Sequence, residues 1–246
     1  MTILVVTGTG TGVGKTVATA ALAAAAGAAG QHVGVVKPVQ TGLAPGEPGG
    51  DADEVERLSG CGDTHELVRL ADPLAPASAA WLRGVEIPSV DTLASRITRL
   101  AESADLLLVE GAGGVLVRLD SAGGTIADLA SALGSPLRRV GVVVVASAEL
   151  GTLNATELTL EALRARGWPP LGLIIGSWPD EPALVHWSNR EDLPRLTGVP
   201  LLGVIPAGAG ALPPHAFQSA APGWIVGDVP GVTAQREWRE GAEPPQ

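Results

Sequence analysis

The sequence contains no tyrosine, one phenylalanine (Phe217), one cysteine (Cys61) and, among sixteen basic residues, only two lysines, Lys15 and Lys37. Each scarcity excludes something. A single cysteine leaves no internal disulfide, so a reducing cytoplasm is the expected location. Without tyrosine, aromatic stacking on a base falls to tryptophan, and Trp178 beside Gly176 and Ser177 is the candidate, with core packing as its competing role. The net charge of −10 and pI near 4.8 leave no clustered basic surface for nucleic acid. Cys61 and His65 stand without further ligands nearby, which argues against zinc. The opening Met1–Val6 has no basic leader, and its apolar run is too short for a signal peptide. The Ala-rich stretch Val17–Ala29 is too short to span a bilayer and contains Thr19, so no membrane contact is expected.

What is present suits one α/β domain. With 246 residues and 46% hydrophobic content, the chain has ample core for a single large domain. Short apolar runs predict strands at Ile3–Thr7, Val33–Lys37, Leu106–Glu110, Val140–Ala146, Leu171–Ile175 and Leu201–Ile205. Their lack of period-two alternation implies burial on both faces. Between them, helices are expected at Lys15–Ala28, Asp51–Ser59, Val90–Glu102, Thr125–Leu133, Leu153–Arg166 and Arg190–Thr197. Such alternation implies a doubly wound, mainly parallel sheet flanked by helices. The domain is expected over 1–226, with a disordered tail over 227–246, where the composition turns polar and proline-containing.

Ligands of such sheets sit beyond the carboxyl ends of the strands. Nearly every predicted strand here ends in a small or polar loop, from Gly8–Thr16 to Pro206-Ala207-Gly208. In Gly8-Thr9-Gly10-Thr11-Gly12-Val13-Gly14-Lys15-Thr16, backbone N–H groups can converge on a phosphate at a helix N-terminus. Lys15 would reach the β- and γ-phosphates and the Thr16 hydroxyl a Mg²⁺. Counting back from Gly14, the usual spacing asks for glycine at Thr9, so the loop carries one extra residue. A dinucleotide fingerprint fits worse, because it demands glycine at Val13.

Lysine is a compact point charge, unlike the arginine fork, so the two lysines that survive in an arginine-biased chain are the first candidates for chemistry. Lys37 ends a strand before the thirteen-residue stretch Pro38–Gly50 and would add a second cation. Glu110 ends another apolar run, where the metal-side acid belongs. Asp51 begins a helix; it is either a metal-side acid or an N-cap completed by Glu54, and Asp53 competes with it. Asn154 begins a helix after Gly151, where backbone N–H groups can hold a carboxylate or the residue can simply cap.

Taken together, the residues resemble the dethiobiotin synthetases. The resemblance rests on Thr7–Thr11 with Val13–Thr16, Lys37-Pro38-Val39-Gln40-Thr41-Gly42, Val109–Gly114 and Leu150–Asn154, and it runs from residue 2 to about residue 226. It implies a cyclising ligase acting on 7,8-diaminononanoate, CO2 and a nucleoside triphosphate such as ATP with Mg²⁺, through a carbamate and its phosphorylated form. It places Lys37, Lys15 and Thr11 in the catalytic set. Gly12, Val13, Gly14, Lys15, Thr16 and Val17 would surround the nucleotide phosphates, with Asp51, Glu110, Gly111, Ala112 and Gly113 beside them. The base would meet Gly176, Ser177, Pro206, Ala207 and Gly208. Thr16, Asp51 and Glu110 would surround Mg²⁺, and Thr41 the diamine. A homodimer is implied, in which Gly151 and Asn154 hold the substrate carboxylate across the interface. Gly176 stands where many relatives carry an asparagine that reads adenine. The competing readings are a partner-binding ATPase switch, whose extra loop lysine is missing from Thr9-Gly10-Thr11, and a cobyrinic-acid-type amidotransferase, which needs a glutaminase cysteine that Cys61 does not supply.

Overall fold

In the computed structural model, which describes residues 1–136 and 138–233, seven strands form one sheet in the order β4-β2-β6-β1-β7-β8-β9. They are β1 (Thr2–Gly8), β2 (Val33–Lys37), β4 (Thr64–Glu66), β6 (Leu106–Glu110), β7 (Arg139–Ala146), β8 (Gly172–Trp178) and β9 (Leu201–Pro206). Every pairing between them is parallel. The doubly wound sheet is therefore as expected. A separate two-stranded piece joins β3 (Gln40–Thr41) to β5 (Arg69–Leu70) within the long segment after β2.

Strand sequences explain the layers. In β1, Ile3 and Val5 join one core cluster while Leu4 and Val6 join the other, so both faces are apolar and covered. One face is covered by α1 (Lys15–Ala28), α2 (Asp51–Ser59) and α8 (Pro214–Ala220). The other is covered by α3 (Pro76–Arg83), α4 (Val90–Ala101), α5 (Ile126–Leu133), α6 (Thr152–Arg164) and α7 (Leu184–Thr197). The alanines of α1 from Ala18 to Ala26 are buried, and their small side chains let that helix lie close to β1.

Two expectations are corrected. Helix α7 starts at Leu184, six residues before Arg190, because the His186 ring accepts the Ala183 N–H and secures the first turn. Asp51 is not an N-cap: Gly50 takes that position without a side-chain bond, and the Asp51 carboxylate is used elsewhere. Beyond the expected boundary at 226, Val229 and Val232 are buried in the same core cluster as Leu106 and the α1 alanines. Of the expected tail, residues 234–246 lie outside the described residues.

The sheet order reverses at β1, between β6 and β7. The loop after β1 therefore opens into a crevice at the carboxyl edge, where β2, β6 and β8 also end.

Candidate active site

Gly14 sets the loop geometry. It closes the glycine-rich turn in the left-handed region (φ +91°) and leads directly into α1, whose first residues Lys15 and Thr16 face the crevice. The turn rests on β8. A Cβ on Gly14 would strike the Gly176 carbonyl, and one on Gly176 would strike the Val13 carbonyl. Two glycines on distant segments thus let two backbones meet, and that contact fixes the height of the loop above the sheet.

Four charged groups converge beneath it. Lys37 Nζ donates to Glu110 Oε1 at 2.9 Å and to the Gly111 carbonyl at 3.1 Å, and it forms an ion pair with Asp51 Oδ2. The Thr16 hydroxyl donates to the same Glu110 Oε1 at 3.0 Å. Lys15 Nζ folds back on the Gly10 carbonyl at 2.8 Å. Lys37 and Glu110 are 4% and 2% exposed, so neither charge is screened by water. Burial opposes the charge on Lys37, but Glu110 and Asp51 outweigh it and raise its pKa above the ordinary lysine value. Lys15 lies below that value through burial and the nearby charge of Lys37. Burial works against ionising Asp51, yet Lys37 prevails and lowers its pKa. Glu110 is raised by its complete burial, with Lys37 opposing and Asp51 reinforcing the shift.

Asp51 owes its place to the long loop. Its N–H donates to Gln40 Oε1 at 2.9 Å, and Arg69 holds the preceding turn through the Glu47 and Gly49 carbonyls while pairing with Glu66. Of the two aspartates, Asp51 turns inward to Lys37 and Asp53 is exposed.

A cavity of about 760 Å³ collects most of the expected residues: Thr11, Gly12, Gly14, Lys15, Thr16, Val17, Lys37, Thr41, Asp51, Glu110, Ala112 and Gly113 line it. Pro73, Leu74 and Pro76 also line it, from a segment that carries no sequence signal of chemistry. Val13 and Gly111 support the wall from behind, through the Gly176 contact and the Lys37 bond. Gly176, Ser177 and Pro206–Gly208 form an adjoining ledge: Ala207 N donates to the Trp178 carbonyl, and the turn after Gly208 reaches Val17. Gly151 and Asn154 are not in the cavity wall of this chain; both are exposed. Trp178 packs edge-on against His186 and Trp187 with Arg190 over its ring, which gives it the packing role between β8 and α7.

Donor chemistry at the base of the cavity fits a hard divalent ion. Glu110 Oε2 is buried without a hydrogen-bond partner among the described residues, and the Thr16 hydroxyl and Asp51 carboxylate lie around it.

Comparison with known proteins decides among the readings. A family described as an AAA domain matches residues 2–212. The chain is 53% identical over 232 residues to the ATP-dependent dethiobiotin synthetase BioD of Streptomyces coelicolor, covering 94% of this chain and 95% of that one. It is 54% identical to the protein of the same name from Rhodococcus jostii, covering 92% and 95%. The chain belongs to the dethiobiotin synthetase family. Among solved structures it is similar in fold to the cell division ATPase MinD of Pyrococcus furiosus (TM-score 0.52, 22% identity, covering 89% of this chain and 96% of that one). It is likewise similar to the septum site-determining protein MinD, complexed with Mg-ADP, from Pyrococcus horikoshii OT3 (TM-score 0.55, 19% identity, 91% of each chain). At such identities the likeness speaks for the fold alone. Fold, loop and family together make the chain a nucleotide-dependent ligase and disfavour the switch and amidotransferase readings.

Proposed function

We propose that this chain closes the cyclic urea of dethiobiotin from 7,8-diaminononanoate, CO2 and a nucleoside triphosphate. The observation that carries the reading is Lys37, held between Glu110 and Asp51 in the cavity that Lys15 and Thr16 also line, in a member of this family. One substrate amine adds to CO2 and loses a proton, giving a carbamate. A carbamate oxygen attacks the γ-phosphorus and the nucleoside diphosphate leaves. The neighbouring amine then attacks the carbamoyl carbon, and inorganic phosphate departs as the ring closes. Each species before closure is an anion, which is what two lysines and a ring of backbone N–H groups favour. The second amine is already tethered, so closure gains from proximity.

Lys15 and the N–H groups of Gly12–Val17 would hold the phosphates, and Lys37 the carbamate and γ-phosphate. Thr11 would sit over the transferring group beside Gly113, and Thr41 at the diamine. Thr16, Asp51 and Glu110 would hold Mg²⁺, which supplies neutralisation of phosphate charge. Gly176, Ser177 and Pro206–Gly208 would face the base. A homodimer completes the site: Gly151 and Asn154, outside this chain's own cavity, would hold the substrate carboxylate of the partner's site. Helix α6 has neither a side-chain cap nor an acid in its first turn, and the buried Thr152 hydroxyl has no partner among the described residues. Exposed Trp81 and Leu82 on α3, which begins at the cavity rim, and Leu150 beside Gly151 are apolar surface for that second copy. Among the described residues no helix is long and apolar enough to cross a membrane.

The test is conversion of the diamine, bicarbonate and ATP or another triphosphate into dethiobiotin with Mg²⁺. Tight Mg-nucleotide binding without ring closure for any triphosphate would sink the proposal.

A further inference from the structure

The strand-to-helix turn that opens α6 is held from outside. Asn189, in the middle of α7 and 4% exposed, donates from Nδ2 to the Ala148 carbonyl at 2.8 Å and to the Glu149 carbonyl at 3.1 Å. The Glu149 carbonyl also accepts the Thr152 N–H at 3.1 Å, closing the turn from which α6 starts. Three residues earlier on α7, His186 Nε2 lies 3.3 Å from Glu149 Oε1. One turn thus receives a buried amide on two successive carbonyls, while Gly151 inside it adopts φ +94° and contributes no side chain.

A carbonyl that accepts two donors cannot rotate without breaking one of them. Through the Thr152 N–H, the Glu149 carbonyl fixed by Asn189 in turn holds the first residue of α6. We infer that Asn189 is the positioning residue for the N-terminus of α6, aiming the N–H groups that follow Thr152 at the carboxylate of the diamino acid. The inference rests on the reading of Gly151 and Asn154 as a carboxylate subsite. Among the described residues Asn189 is not part of the cavity lining, so the effect expected of changing it is on recognition of the substrate's acid end rather than on phosphoryl transfer. Removing the amide leaves the Ala148 carbonyl without this donor and the Glu149 carbonyl with the Thr152 N–H alone, so the turn is held less firmly.

The experiment compares the full-length wild type with Asn189→Ala on two substrates, the diamino acid and the same diamine lacking its carboxyl group. The expected result is a rise of about tenfold in KM for the diamino acid, the worth of one well-made hydrogen-bond array. Turnover and the KM for the nucleotide stay within about twofold, and both proteins handle the descarboxy diamine alike. An unchanged KM for the diamino acid overturns the inference. So does an equal loss on both substrates, which marks a general structural defect. If Asn189→Ala has no cooperative melt, Asn189→Gln takes its place. Its longer amide displaces the turn, and the same selective rise in KM is required. Wild type that is indifferent to the carboxylate removes the subsite itself, whereas wild type that prefers the acid beside an unaffected variant overturns only the role of Asn189.

Discussion

Lys37 and Glu110 end two adjacent parallel strands, β2 and β6, and their side chains meet at 2.9 Å in almost complete isolation from water. Strand register produces this pairing: Val33–Val36 run alongside Leu106–Val109, so the residue after each run arrives at the same edge. A buried ion pair of this kind costs desolvation and adds little net stability, which makes chemistry the better reason for its presence.

Replacing the ammonium by a fork of equal charge separates charge from shape. The pocket around Lys37 Nζ is filled by Glu110, Asp51 and the Gly111 carbonyl, all arranged about one point. A guanidinium spreads its charge over a larger plane and cannot place it at that point. Lys37→Arg is expected to lower turnover by on the order of a hundredfold or more while nucleotide affinity changes little. Steady-state rates beside nucleotide titration check this, and near-normal turnover would undo the argument from lysine scarcity.

Asp51 links the site to acid stability. Burial opposes its ionisation, but the charge of Lys37 dominates and holds its pKa below the usual aspartate value of about 3.9. A carboxyl depressed on folding adds stability above its unfolded pKa and loses it as pH falls through the folded one. Wild type should therefore be more stable than Asp51→Asn above about pH 4, and that difference should shrink on further acidification. Denaturant melts of both proteins from neutral to acid pH measure it. A difference that stays constant or grows as pH falls would contradict the ion pair.

The meeting of Gly14 and Gly176 makes a sharper claim about the nucleotide. A Cβ at Gly176 runs into backbone, which yields less readily than the end of a side chain. Gly176→Ala should displace the phosphate loop at a cost of about 1–3 kcal/mol, weakening nucleotide affinity roughly tenfold to a hundredfold. Gly176→Asn should do the same. Isothermal titration with ATP decides the matter. Wild-type affinity in either variant would show that the loop is not registered against β8.

Much of this was legible before the fold was known, for identifiable reasons. The six apolar runs read as buried parallel strands because β-branched and leucine residues fill both faces of each. Glycine spacing with Lys15 and Thr16 marked the loop, and an arginine-biased composition singled out Lys37. What escaped depended on distant partners. Asp51 and Asp53 share one helical turn, and the former meets partners distant in sequence, Gln40 at its N–H and Lys37 at its carboxylate. The first half of α7 precedes the helix expected at Arg190–Thr197, and its His186 and Asn189 are buried with contacts to the β7–α6 turn. Helix α3 is short and starts at Pro76, and its place at the cavity rim comes from the Ala77 N–H bonding the Arg118 carbonyl, a pairing no local pattern announces.

The composition of the site across two subunits can be tested by mixing. Lys37 lies inside the cavity of its own chain, whereas Gly151 and Asn154 are exposed away from it. If the α6 N-terminus serves the partner's cavity, Lys37→Ala destroys the cavity of its own chain and Asn154→Ala damages only the partner's. Each homodimer is then impaired at both sites. A mixed dimer has one site carrying both lesions and one carrying neither. With equal amounts and free exchange, about half the dimers are mixed and half their sites intact, so activity should recover to roughly a quarter of wild type. A site made within one chain allows no such recovery, because every cavity then retains one lesion. Activity that stays at the level of the two parents after verified subunit exchange would place the carboxylate subsite in the same chain as Lys37.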